Sequence, residues 1–165
     1  RSCLLSCPFQ TIHPYQVSIW AEKEFRGSGA LLSRKWVVTT ASVVAGFETP
    51  TLSVRCHSSS ASKGGQLVGV SKVVTHPKFR FNTMQHDVAL LVLRHVHDLL
   101  PAVWVEGVRL AHSPLPVNST GLLSGWGSTS NTSRMNDTLH QVWERVLERS
   151  TCQQIYNQSL KISTK

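Results

Sequence analysis

Gly29-Ala30-Leu31-Leu32-Ser33-Arg34-Lys35-Trp36-Val37-Val38-Thr39-Thr40-Ala41-Ser42-Val43 decides how this chain folds. Residues 30–32 and 36–40 are short runs of apolar and β-branched side chains, and the polar triplet Ser33-Arg34-Lys35 between them reads as a turn. β-branched side chains pack well on a pleated surface, so the stretch predicts two short strands. The same pattern extends outward. Residues 15–20 alternate in period two, and Leu52, Val54 and Cys56 alternate with Ser53, Arg55 and His57. Residues 68–75 form another β-rich run, which ends at His76-Pro77. Residues 88–93 are continuously apolar, as in a strand buried on both faces. Breaks are expected at Gly27-Ser28-Gly29, over residues 58–65 and over residues 113–121. Short strands at such intervals predict an all-β barrel or sandwich.

One segment carries two readings. Leu139, Val142, Trp143, Val146 and Leu147 recur at helical spacing, yet Leu139, Gln141, Trp143, Arg145 and Leu147 also form one alternating face. Taken alone, the segment reads as a helix. A short helix is expected after it, from Ser150 to about Asn157, since Ser150 and Thr151 are capping residues and no breaker follows. A composition shift between Leu100-Pro101 and Pro116 marks a linker between two halves.

The 165 residues suffice for one domain with a core, and 41% hydrophobic with 16% charged residues fits a globular chain. No apolar run reaches the length needed to span a bilayer. There is no initiating Met and no leader pattern, so a signal peptide is expected to have been removed or left out. Lys and Arg number 17 against 9 Asp and Glu, a formal charge of +8, but the charges are scattered without a block of five. This reads as a solvated basic surface or as attraction to polyanions such as sulfated glycans, membranes or bacterial surfaces. No nucleic-acid-reading module accompanies it, so nucleic acid is not expected as a partner.

The four cysteines, Cys3, Cys7, Cys56 and Cys152, allow two disulfides in any of three pairings and match no zinc spacing. N-glycosylation sequons stand at Asn118, Asn131, Asn136 and Asn157, and four of them in loop-like sequence point to secretion. His95 and His97 share one strand face near His86, Asp87 and Asp98, but no third ligand has metal-site spacing. Neither metal nor cofactor is expected.

Five local sequences follow one another in an order that resembles the chymotrypsin/trypsin family of serine proteases. They are His13-Pro14-Tyr15-Gln16-Val17-Ser18-Ile19, then Gly29-Ala30-Leu31-Leu32 with Trp36-Val37-Val38-Thr39-Thr40-Ala41, then His76-Pro77 with His86-Asp87-Val88-Ala89-Leu90-Leu91, then Leu123-Ser124-Gly125-Trp126-Gly127, and Cys152-Gln153-Gln154-Ile155-Tyr156. The resemblance spans nearly the whole chain as a single homology domain over residues 1–165. It implies a trypsin-like double antiparallel β-barrel: a complete first barrel over 13–100 and a truncated second over 117–165, with one short helix near the C-terminus. It also makes residues 138–147 a strand.

The chemistry of that family needs a serine nucleophile, a histidine that takes and returns its proton, and a carboxylate that orients the histidine. Asp87 matches the carboxylate. After Thr39-Thr40-Ala41 the family pattern has His and then Cys, whereas this chain has Ser42 and Val43. A serine hydroxyl does not accept a proton near neutral pH, so Ser42 and Asp87 are read as vestigial triad positions. The family's nucleophile lies in a Gly-Asp-Ser-Gly-Gly stretch that these residues do not contain, and its oxyanion hole and specificity pocket belong with that stretch. Loss of one triad member in a related system costs on the order of 10⁴ to 10⁶ in rate. Cys7-Pro8-Phe9-Gln10-Thr11-Ile12 precedes His13, where the family has an Ile-Val-Gly-Gly-like end that inserts on activation. The family disulfide beside the catalytic histidine has Gly27 and Val43 at its two positions, and the family partner of Cys152 lies beyond this sequence.

The expected function is therefore that of a secreted, catalytically inactive homologue acting by binding: a decoy, a cofactor for a protease, or a surface-binding protein. Its expected partners are a protease or inhibitor, or a polyanionic glycan or surface. The alternative is an endopeptidase active in a longer form. An open second barrel would expose an apolar face, so low stability or self-association is expected.

Overall fold

The computed structural model describes residues 13–94, 107–127 and 136–156. Its first half is a closed six-stranded antiparallel barrel with strand order β1-β2-β3-β6-β5-β4. The strands are β1 (Gln16–Ala21), β2 (Glu24–Leu31), β3 (Trp36–Thr39), β4 (Leu52–Cys56), β5 (Gln66–Thr75) and β6 (Ala89–Leu93). Closure pairs β1 with both β2 and β4, so no strand of the barrel leaves an open edge. A two-residue turn joins β1 to β2, and both Glu22 (φ 53°) and Lys23 (φ 68°) are left-handed. That geometry matches the right-handed twist of the flanking strands.

The alternation in the sequence becomes the core. Val17, Ile19 and Ala21 point inward from β1, Leu52, Val54 and Cys56 from β4, and all are buried. Burying one such Ile or Leu contributes roughly 1.5–3 kcal/mol, which is what fixes the register. β1 is buried on its outer face as well, at Gln16 and Ser18. Ser124 of the second half covers that face at Gln16, and the Ala61 carbonyl covers it at Ser18.

The second half contains a two-stranded sheet, β7 (Thr120–Gly125) with β8 (His140–Arg145), and the helix α2 (Arg149–Tyr156). The helical spacing over 139–147 does not produce a helix. Its backbone pairs with β7 instead, Leu122 opposite Trp143 and Ser124 opposite Gln141, as the family resemblance implies. α2 follows as expected but begins at Arg149, so Ser150 and Thr151 lie inside its first turn rather than capping it, and the expected end at Asn157 lies outside the described residues. One further local expectation is corrected: Gly27-Ser28-Gly29 lies inside β2 rather than in a break. A one-turn helix, α1 (Ala41–Val44), follows β3 in addition to the expected helix near the C-terminus. Gly29 is needed within the strand because a Cβ there would meet Val37 Cγ1 and the Val38 carbonyl oxygen, each at 2.9 Å.

The two halves meet along residues 59–62. The Trp126 indole N–H donates to the Ser59 carbonyl at 3.0 Å, and the Leu139 N–H donates to the same oxygen at 2.7 Å. Asp137 receives the Ser60 hydroxyl at 2.6 Å and the Ser62 N–H at 2.8 Å. Trp126, Leu139 and Ala61 form a small apolar cluster at this junction, against Trp20 and Phe25. Leu123, Val142 and Trp143 remain exposed on the second sheet. No described helix is long and apolar enough to cross a membrane.

Candidate functional site

α1 begins directly after β3, and Asp87 stands just before β6, the strand that pairs with β3. The Thr39–Ala89 pairing therefore brings Ser42 and Asp87 together although they are 45 residues apart. The Ser42 hydroxyl donates to Asp87 Oδ2 at 2.7 Å, and the Ser42 backbone N–H donates to Asp87 Oδ1 at 2.7 Å. Thr40 Oγ1 lies 3.2 Å from Ser42 Oγ. Ser42 has a single hydroxyl proton and directs it at the acceptor-only carboxylate, so Thr40 is the donor in that contact.

This geometry has two chemical consequences. Ser42 N–H is one of the unpaired donors at the start of α1, and the N-cap residue Thr40 provides no side-chain bond to any of them. Asp87 supplies the missing acceptor from a distant part of the chain. A hydroxyl in this position also differs from an imidazole in one decisive way. An imidazole donates to the carboxylate through one nitrogen and accepts a nucleophile's proton on the other. Ser42 reproduces the donation and offers no second basic atom.

The position beside Ser42 is filled by a matched pair. A Cβ built on Gly27 would lie 2.7 Å from Val43 Cγ2, 3.4 Å from Cγ1 and 3.7 Å from Cβ. The Val43 side chain thus occupies the space over Gly27, where the family resemblance places a disulfide.

The remaining sequence-derived positions separate. Cys56 is buried in the barrel core, Cys152 is half-buried on α2, and both are free thiols. Burial pushes the Cys56 thiol up to about 12. Cys3 and Cys7 lie outside the described residues. Asn118 is exposed in a left-handed turn (φ 67°) at the mouth of the β7–β8 hairpin. The Asn136 amide is engaged at both ends: Nδ2 lies 2.7 Å from His140 Nε2, and Oδ1 accepts the Thr138 N–H at 3.1 Å. Asn131 and Asn157 lie outside the described residues, as do His95, His97 and Asp98. Among the described residues no three His, Cys, Asp or Glu side chains come together as a metal site.

Sequence reasoning missed the contacts that seat β7 and β8 on β1. His13 is buried, its Nε2 donates to Gln141 Oε1 at 2.7 Å, and its Nδ1 faces the Tyr15 hydroxyl at 3.3 Å. Ser124 donates to Gln16 Oε1 at 3.0 Å. These partners are 128 and 108 residues apart, so no local signal marks them. It also missed Asp137. Partial desolvation raises its carboxyl, but the Ser60 and Ser62 hydrogen bonds and the Lys63 charge outweigh that and hold it below the ordinary value.

A closed antiparallel barrel with an aspartate just before its sixth strand, followed by a sheet whose first strand runs out through Ser124-Gly125-Trp126-Gly127, is the scaffold of a serine protease. The trypsin family model matches residues 8–164. The chain is 35% identical over 147 residues to Trypsin 5G1 of Aedes aegypti, covering 87% of this chain and 54% of that protein. It is 32% identical over 143 residues to a trypsin of Phaedon cochleariae, with coverages of 86% and 55%. This chain belongs to the trypsin family of serine proteases, and it spans about half the length of these relatives. Among solved structures it superposes on neuropsin, a serine protease of mouse brain, with a TM-score of 0.78 at 24% identity, over 92% of this chain and 67% of that one. The scabies mite inactivated protease paralogue S-D1 gives a TM-score of 0.74 at 22% identity, over 90% and 64%.

Proposed function

We propose that this protein is a secreted trypsin homologue that does not cleave peptide bonds and acts by binding. The observation that carries this reading is Ser42. Its hydroxyl and backbone N–H are bonded to the two oxygens of Asp87, and the hydroxyl itself offers no basic atom to take a nucleophile's proton. A carboxylate alone is too weak a base to activate a hydroxyl at neutral pH. The Gly27–Val43 pair belongs to the same picture, since the support that a disulfide would give the catalytic histidine is replaced by simple packing. A solved neighbour of this fold is itself described as an inactivated protease paralogue, so the scaffold stands without turnover. The four sequons support secretion.

The test is labelling of the complete secreted product with a serine-directed fluorophosphonate, alongside turnover of peptide substrates cut after Lys or Arg. Neither signal should rise above that of the heat-denatured protein. Saturable labelling of the native protein that heat abolishes would end this reading.

A further inference from the structure

Residues 76–86, between β5 and β6, form a hairpin. Arg80 and Gln85 bridge its arms, with the Arg80 N–H on the Gln85 carbonyl at 3.1 Å, and the Thr83 N–H closes the tip onto the Arg80 carbonyl at 3.2 Å. The base is anchored. Phe79 packs against the barrel core, and its ring meets that of Phe81 edge-on at 6.3 Å. The His76 and His86 rings stack at 4.7 Å and 7°, and His76 Nδ1 accepts the Lys78 N–H at 3.1 Å. The tip is apolar in the open: Phe81 is 60% exposed and Met84 40%.

Around that tip stands a collar of one sign. Lys78 and Arg80 are exposed, and residues 76–86 contain no Asp or Glu. The adjoining carboxylate, Asp87, turns both oxygens toward Ser42 and pairs with neither Lys78 nor Arg80. Among the described residues the one ion pair is Arg26 with Glu24, so neither hairpin cation has a carboxylate partner there. A cavity of about 410 Å³ opens beside the collar, lined by Pro77, Lys78, Phe79, Arg80, Gln85 and His86.

We infer that this hairpin docks on bilayers that carry anionic phospholipid. Phe81 and Met84 enter the boundary between headgroups and acyl chains, and Lys78 and Arg80 meet the lipid phosphates from the collar. The apolar tip is what selects a bilayer over a soluble polyanion, which would engage the collar and leave Phe81 in water. The inference stands apart from catalysis, and its test is separate from the labelling assay.

The complete secreted protein is sedimented with vesicles of phosphatidylcholine and phosphatidylserine, and with phosphatidylcholine alone. Binding is expected to the mixed vesicles, weakening as salt is added. K78A/R80A should weaken it about 25-fold, near fivefold per charge. Phe81→Ser should weaken it about tenfold while leaving heparin retention unchanged. The control is R34A/K35A, the same loss of charge at the far end of β3, where the Leu93 N–H bonds to the Lys35 carbonyl. It should change binding less than about twofold. All these side chains are exposed, and thermal melts verify that each variant folds. Equal losses from the two charge variants, full binding by Phe81→Ser, or retention on heparin without binding to the mixed vesicles would each overturn the inference.

Discussion

Replacing Gly27 and Val43 together by cysteine should close a disulfide and stabilise the protein. The ideal Cβ at Gly27 stands 3.7 Å from Val43 Cβ, near the centre of the range found across disulfides. Its three nearest neighbours are all Val43 atoms, so the second substitution removes the obstacle to the first. The bond would close a loop of 17 residues (43 − 27 + 1), which restricts the unfolded chain by about 3 kcal/mol. Loss of the half-buried Val43 methyls offsets roughly 1 kcal/mol of that. A net gain of about 2 kcal/mol raises the melting temperature by roughly 4–8 °C in a domain of this size. The melt is followed by circular dichroism with and without dithiothreitol, and peptide mapping of the non-reduced protein identifies the bridge. Gly27→Ala is the internal control. It keeps Val43 and drives a Cβ to 2.7 Å from Cγ2, so it should destabilise by about 1–3 kcal/mol. A double variant that melts at or below the wild type when bridged, or a Gly27→Ala protein as stable as wild type, would refute the idea that the two positions are a compensated pair.

Asp87→Ala should lower stability to urea by about 1–2 kcal/mol, since the Ser42 N–H at the start of α1 loses its acceptor; an unchanged midpoint would show that water replaces the carboxylate without loss. The Asp137 carboxyl is held below its ordinary value, so it stabilises the fold above about pH 4 and that contribution is lost as pH falls further. Asp137→Asn should therefore flatten the acid limb of a stability–pH profile measured by urea midpoints, and an unaltered limb would count against it. The Cys56 thiol, pushed up to about 12, should resist iodoacetamide at pH ~8 until the chain is unfolded, while Cys152 reacts in the native state. Peptide-level mass spectrometry separates the two sites, and equal native rates would contradict the burial of Cys56.

How much of this was legible in the sequence depended on whether one face or two decided each segment. Leu52, Val54 and Cys56 could be read because the inner face of β4 is apolar and its intervening residues are half-exposed. Residues 139–147 could not be settled locally. Their apolar positions satisfy both periods, and the choice is made by pairing with β7 and by Leu139 closing on Trp126 and Ala61. Gly27 and Gly29 misled in the opposite sense. They look like chain breaks, yet they sit within β2 because Val43 and Val37 press against its backbone. Ser42 and Asp87 were legible only through the family resemblance, which implies a histidine and an aspartate at those two positions. Their hydrogen bonding was not, because it depends on β3 lying beside β6.

That hydrogen bonding explains how an aspartate keeps a role at a site without an imidazole. A carboxylate here can orient a histidine ring, and it can also terminate the exposed donors of α1. Only the first task needs a ring. With serine at position 42, one oxygen caps the backbone and the other holds the hydroxyl, so the carboxylate is satisfied without any catalytic partner. Ser42 and Asp87 then form a local structural unit whose disruption should be read in stability. The order of effects distinguishes this from a site poised for catalysis. Ser42→Ala deletes one hydrogen bond and leaves the cap, for about 1 kcal/mol. Asp87→Asn keeps an acceptor for the backbone N–H and loses the charge. Asp87→Ala removes both contacts and should be the most destabilising of the three.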